Sequence, residues 1–317
     1  MDLGKHFESS FLLLKKNKAI FLPVFLFVFL TSLLLGFWIF YSGLNQVFAI
    51  SAQQNAEAFS ALKQMVMGQP DKLASFDKTQ RDAQMMQGDI LFENLSRPDV
   101  WVIGIVFFII LIVATVLLES MKNSMITAAL KKQKVSWNAC KGFALKKAWS
   151  FVGANILLLL IIAAVMVVFV ILFVGSIAMT MAGSVAAILG VILAILTFFA
   201  MFFAIIYVCV RLMFTLPSLY VDDLSAAQSI SASWDVTKKA GKHAWAAYAV
   251  VLGLSILARL VAFNPTQSLA QLIYTSSAWL FPLLAVLFLV FYFFYYVIFL
   301  VIQVFAYSVY TEFRKLK

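Results

Sequence analysis

Apolar residues in this chain neither alternate with polar ones nor scatter; they gather into six long runs, at about 19–41, 100–118, 151–179, 185–210, 244–263 and 279–307. A hydrocarbon core of about 30 Å is crossed by about 20 helical residues at 1.5 Å each, so every run is long enough to span. The longer ones allow tilt or extension beyond the bilayer without fixing an angle. Barrel strands would alternate over about ten residues, whereas these runs are continuously apolar. The pattern predicts an all-α, polytopic membrane bundle of six transmembrane helices.

The segments between the runs have patterns of their own. Within 42–99, Phe48, Ala52, Ala56, Phe59, Leu62 and Val66 recur at helical spacing until Gly68-Gln69-Pro70. A weaker stripe of Leu73, Phe76, Ala83 and Met86 ends near Gly88. This predicts an extracytoplasmic helical hairpin, and with Gly43 the only candidate breaker, the first span is expected to run into it. Its stripe serves either packing within the hairpin or docking of a second copy or another membrane protein. Three further segments, 1–18, 119–150 and 211–243, mix apolar residues with lysines, and 308–317 forms a polar tail. In "DDLSAAQSISASWDVTKK" Asp223 is the expected N-cap, with Leu224, Ala227, Ile230 and Trp234 on one face. In 119–150, Met125, Ile126, Ala129 and Leu130 among lysines predict helices that rest on an anionic surface or cover the end of the bundle.

Composition agrees: 64% of residues are apolar, 12% are charged, and mean hydropathy is +0.99, beyond what a water-soluble domain carries. Charge adds orientation. Of the 24 Lys and Arg, eighteen fall in 1–18, between the second and third runs, between the fourth and fifth, and in the tail, while 42–99 holds five against seven acidic residues. Positively charged loops resist translocation, so both termini are expected on the cytoplasmic side of the cell membrane. The net charge of +10 then reflects lysines facing a bilayer with an anionic inner leaflet, and not nucleic acid. The first run is too long for the apolar part of a cleavable signal peptide, which is not expected.

Paired lysines recur before each outward run, at Lys15/Lys16, Lys146/Lys147 and Lys238/Lys239, with Phe21, Trp149 and Trp245 following. Two readings stand: the orientation rule written three times, or a threefold repeat of helical hairpins. Together with Trp234, these six lysines, Trp149 and Trp245 are the lipid-interface candidates.

Between the fourth and fifth runs, "RLMFTLPSLYVDDLSAAQSISASWDVTKKAGKHAW" resembles the corresponding loop in the membrane domain of glycerophosphoryl diester phosphodiesterases and related six-span proteins. Arg211, Pro217, Asp222, Asp223 and Ser233 to Lys239 carry the resemblance, and the opening "FESSFLLLKKNKAIFLPVFLF" fits it. The chain departs in having Asp where Glu is usual and Ser229 where Ala is common. The resemblance implies a bundle of the kind that accompanies a catalytic domain. That domain is not expected here, because His6 and His243 are the only histidines and no phosphate loop, Ser-His-Asp set or HExxH is present.

Polar residues within spans are the remaining pointers: Asn155, Arg211, Gln303, and Arg259 about four residues from the expected outer end of its span. Arg259 either snorkels or marks a buried site. Pro23, Pro217 and Pro282 sit at span ends, and Gly175, Gly183 and Gly190 allow the third and fourth spans to pack closely. Cys140 and Cys209 predict neither a disulfide nor a metal site, and no cofactor is expected. The expected function is a non-catalytic membrane scaffold or accessory protein linked to lipid or envelope processes. A transporter or channel for a small solute or ion is the alternative, and an intramembrane enzyme ranks last.

Overall fold

The computed structural model describes residues 2–43, 46, 50, 85–90, 92–94, 96–181, 183–275 and 281–315. Its long elements are α1 (Leu3–Lys16), α2 (Phe21–Tyr41), α3 (Pro98–Leu130), α4 (Trp137–Thr180), α5 (Ser184–Leu212), α6 (Thr215–Val221), α7 (Ala226–Ala240), α8 (Lys242–Thr275) and α9 (Phe281–Arg314). Among the described residues there is no strand, and six helical stretches are long and apolar enough to cross a membrane. The six-span, all-α reading of the sequence therefore holds.

The helices divide into two compact units, one of 1–21, 119–255 and 300–317, the other of 22–118 and 256–299. All eighteen cations of the lysine-rich segments belong to the first unit, which we call the base unit. Its core is dense. Met125, Ile126, Phe214, Leu219, Tyr220, Val304, Phe305, Tyr307 and Tyr310 are essentially inaccessible.

Helix ends in the base unit follow from local chemistry. Asp2 caps α1 by accepting the Lys5 N–H at 3.3 Å, and Asn17 ends it, its side-chain amide donating to the Leu13 carbonyl at 2.9 Å. Lys15 and Lys16 thus lie in the last turn of α1, as Lys238 and Lys239 do in α7, where cations complement the helix dipole. The middle pair differs: Lys146 and Lys147 lie inside the unbroken 44-residue α4.

The segment 119–150 corrects the sequence reading. No separate surface helix forms there: 119–130 continues α3 and 137–150 opens α4. Ser120, Met121, Asn123, Ser124, Met125 and Ile126 are buried; cross-helix hydrogen bonds satisfy Ser120 and Asn123, and Ser124 donates to the Ser120 carbonyl of its own helix at 2.8 Å. α3 ends in a Schellman motif, with Gln133 N–H on the Ala128 carbonyl at 2.8 Å and Lys132 N–H on Ala129 at 3.1 Å, which holds Lys132 at φ +56°.

Asp223 is not the N-cap of α7. Its φ is +56°, and Ser225 caps the helix in a capping box with Gln228. The face of α7 turned into the protein is Ser229, Ser233, Val236, Thr237 and Ala240, leaving Ala227 and Trp234 exposed. Gly241, at φ +52°, turns the chain into α8.

α4 and α5 pack on each other as an antiparallel hairpin. Of the three glycines expected at that contact only Gly190 fits: a Cβ there would stand 2.7 Å from the Ser176 carbonyl oxygen. Gly175 has nothing within 4 Å, and Gly183 is the turn residue at φ +122° that starts α5. The rest of the hairpin exposes Leu159, Val167, Ile171, Ile188, Leu196 and Phe203 along its length, surface that lipid tails cover in a bilayer.

In the second unit Trp38 of α2 lies across Gly104 of α3 and donates to the Val100 carbonyl at 3.5 Å. Phe37 meets Phe107, and Phe25 and Phe27 meet Phe293 and Tyr296 of α9 edge to face. α2 does not run on into 42–99: Ser42 and Gly43 turn, with Gly43 at φ +71° against Asn94. Most of the predicted hairpin, from Phe48 to Ala83, and so its docking stripe, lies outside the described residues. Residues 85–90 are helical through Gly88, which does not stop the helix. α8 likewise continues past residue 263, through Pro265, to Thr275, so Arg259 is remote from its helix end.

Candidate functional site

Where α3, α4, α6 and α9 meet, the base unit concentrates polar groups that an apolar bundle could have omitted. Asn123 is inaccessible on α3; its Oδ1 accepts from Gln303 Nε2 at 2.6 Å and from Tyr307 Oη at 2.9 Å, and its Nδ2 donates to the Glu119 carbonyl at 2.8 Å. One turn away Tyr220 Oη donates to Ser120 Oγ at 2.9 Å, which donates onward to the Ala144 carbonyl at 2.6 Å. Lys122 pairs with Glu119 at 2.6 Å on the same helix. A buried, satisfied bond of this kind contributes about 1 kcal/mol net, but stranding either partner costs more.

Two acids next to each other anchor different helices. Asp222, with its side chain nine-tenths buried, accepts from Tyr310 Oη at 2.5 Å, and Arg314 Nε stands 2.9 Å from its other oxygen, an ion pair without hydrogen-bond alignment. Asp223 turns the opposite way. Lys147 Nζ lies 2.7 Å from its Oδ1 and donates at 2.7 Å to the Leu224 carbonyl, and Lys146 stands 3.8 Å from Oδ2. The Lys147 hydrogen bond, helped by the charges of Lys147, Lys146 and Lys131, holds the Asp223 carboxyl below the ordinary aspartate range against the opposing effect of burial.

Lys147 therefore corrects the interfacial reading. Its side chain is 6% exposed, the length and charge of lysine being used to tie α4 to the turn before α7. Lys15, Lys16, Lys146, Lys238, Lys239, Trp149, Trp234 and Trp245 are exposed; Trp149, at 82%, is the most open of the three tryptophans. Pro217 is buried in the first turn of α6, where its missing N–H has no intrahelical acceptor to lose. Ser233 is inaccessible, its hydroxyl donating to the Arg211 carbonyl at 2.7 Å and accepting the Phe214 N–H at 3.2 Å. Thus Arg211, Ser233 and the two acids of the family-like loop lie in one unit, and Asp222 and Asp223 face different partners.

Asn155 is not drawn in. It is exposed and donates to the Phe151 carbonyl of its own helix at 2.8 Å. Arg259 is exposed and joined by no hydrogen bond or ion pair to the described residues. His6 Nδ1 shares a hydrogen bond with Ser308 Oγ at 2.9 Å, whereas His243 is exposed. Among the described residues no three His, Cys, Asp or Glu side chains gather as a metal-binding group, and both cysteines are free. The sequence reading missed Glu119, Ser120, Asn123, Tyr220, Tyr307, Tyr310 and Arg314. The available signal was a set of polar residues at the ends of apolar runs, each needing a partner.

The fold and this network define a multi-pass α-helical membrane protein whose lysine-rich base is cross-linked by buried polar bonds. Residues 190–317, from α5 through the end of the chain, match the family model of the membrane domain of glycerophosphoryl diester phosphodiesterase, about two fifths of the sequence. The resemblance noted for the loop after α5 thus extends over α6 to α9. No curated protein and no solved structure matches the chain.

Proposed function

We propose that the protein is a non-catalytic bundle of the cell membrane, with both termini cytoplasmic, that acts as a scaffold or accessory in lipid or envelope processes. The observation that carries this reading is the use of the buried polar groups. Asn123, Gln303, Tyr307, Ser120, Tyr220, Tyr310, Asp222, Lys147 and Asp223 each bind a partner on another element, so their chemistry goes into fixing the base. A family match confined to a membrane domain supports it. The placement of eighteen cations in 1–18, 119–150, 211–243 and 308–317 supports the cytoplasmic assignment of those four segments.

The test uses the full chain in sealed vesicles. Ion gradients across protein-containing vesicles should decay no faster than across empty ones, and a glycerophosphoryl diester offered to the protein should not be cleaved. Gradient loss that scales with protein content would replace this reading by a channel or transporter. Cleavage that co-purifies with the chain would make it an enzyme.

A further inference from the structure

Away from the buried network, one cation of the base unit has donors that no described residue takes up. Arg211 occupies the last turn of α5, and its main-chain carbonyl is fixed by Ser233 Oγ at 2.7 Å and Thr237 Oγ1 at 3.4 Å. Its guanidinium carbon stands 4.9 Å from the centre of the Tyr207 ring and 5.6 Å from that of Trp234. Tyr207 meets Trp234 edge to face at 5.9 Å and Trp245 at 6.4 Å, so α5, α7 and α8 each supply one wall. Nε is buried without a hydrogen bond, and no ion pair or hydrogen bond from the guanidinium reaches a described residue.

Stacking on two rings attracts the charge, and the C-terminal dipole of α5 favours a cation. Neither takes up an N–H group, and a guanidinium carries five. The walls are open on one side, with Trp234 37%, Tyr207 39% and Trp245 43% exposed. Lys238, one turn along α7 from Trp234, and Lys242 at the start of α8 are exposed nearby in sequence. Asp235, exposed beside Trp234, forms no ion pair with Arg211.

We propose that this cradle binds the phosphate of an anionic phospholipid at the lysine-rich membrane face. A guanidinium matches two phosphate oxygens at once, which an ammonium does not. Tyrosine and tryptophan rings settle at headgroup depth, and Lys238 and Lys242 add attraction for a lipid with net negative charge. The assignment requires only that the chain spans a membrane and does not rest on the non-catalytic reading.

Native mass spectrometry of the full chain in detergent, titrated with phosphatidylglycerol, phosphatidylcholine or inorganic phosphate, tests it. Phosphatidylglycerol should bind more tightly than phosphatidylcholine, and Arg211→Gln should weaken it about tenfold. Arg211→Lys, which keeps the charge but loses the fork, should fall between. Thermal unfolding of each variant checks its fold; if Arg211→Gln does not fold, Arg211→Lys decides. Undiminished phosphatidylglycerol binding in the folded Arg211 variants would overturn the site. Displacement of the lipid by inorganic phosphate at millimolar concentration would overturn the lipid assignment in favour of a soluble phosphate ligand.

Discussion

A buried ammonium is the residue-scale feature with the clearest energetic signature. Lys147 has its charge inside the base while its partner Asp223 is half exposed, so the two are not equivalent to remove. Replacing Lys147 by Met withdraws the buried charge and fills the space with a chain of similar length, and is expected to cost within about 1 kcal/mol. Asp223→Asn leaves the ammonium with neutral acceptors and no counter-charge and is expected to cost about 2 kcal/mol, less than for a fully buried pair because solvent screens this one. Chemical denaturation in detergent measures both; equal costs would contradict the asymmetry. The same pair sets a pH dependence. Because the folded-state pKa of Asp223 is lowered, its contribution to stability is complete above the ordinary aspartate range. It is lost as pH falls from that range through the lower folded value. Melting temperature should therefore drop in that acid window, and the drop should be smaller in Asp223→Asn.

Among the elements, the spans were legible and the joints between them were not. Six apolar runs specify six helices by length and composition alone, and α7 was legible as a helix, although the apolar spacing of Ala227 and Trp234 marked its exposed face. The burial of 119–130 was hidden, because Ser120 and Asn123 look like surface residues until Tyr220, Gln303 and Tyr307, about 100 to 184 positions away, are known to meet them. Arg211, Ser233, Asp222 and Asp223 were marked by resemblance, but nothing in the sequence distinguishes Asp222, turned to Tyr310, from Asp223, turned to Lys147. Two substitutions test the joints. Lys132 at φ +56° bears a side chain where glycine has no steric cost, so Lys132→Gly is expected to stabilise by about 1 kcal/mol. Gly190→Ala should destabilise the α4–α5 hairpin, since its Cβ meets backbone, while Gly175→Ala, with open space around it, should be neutral or better. Thermal unfolding of the two glycine variants side by side gives the comparison.

At the scale of the whole molecule, the gathering of eighteen cations in 1–18, 119–150, 211–243 and 308–317 predicts which side of the membrane each segment occupies. In a cysteine-free background, an impermeant maleimide added outside intact cells should label a cysteine at Ser75 and spare one at Gln133 until the membrane is opened. The opposite pattern would invert the chain. Gln133 is exposed just beyond α3 and joins its C-terminal cap only through the main-chain N–H, which a cysteine keeps.

The length of α4 has a mechanical consequence. At 1.5 Å per residue its 44 residues make a rod of about 66 Å, roughly twice the hydrocarbon thickness. The fourteen residues before Phe151 form an arm of about 20 Å, riveted through Lys147 to Asp223 and lacking a hinge. In such a lever, rotation of the embedded part by 10° sweeps the tip of the arm through about 3–4 Å. The rivet carries the turn before α7 along with it.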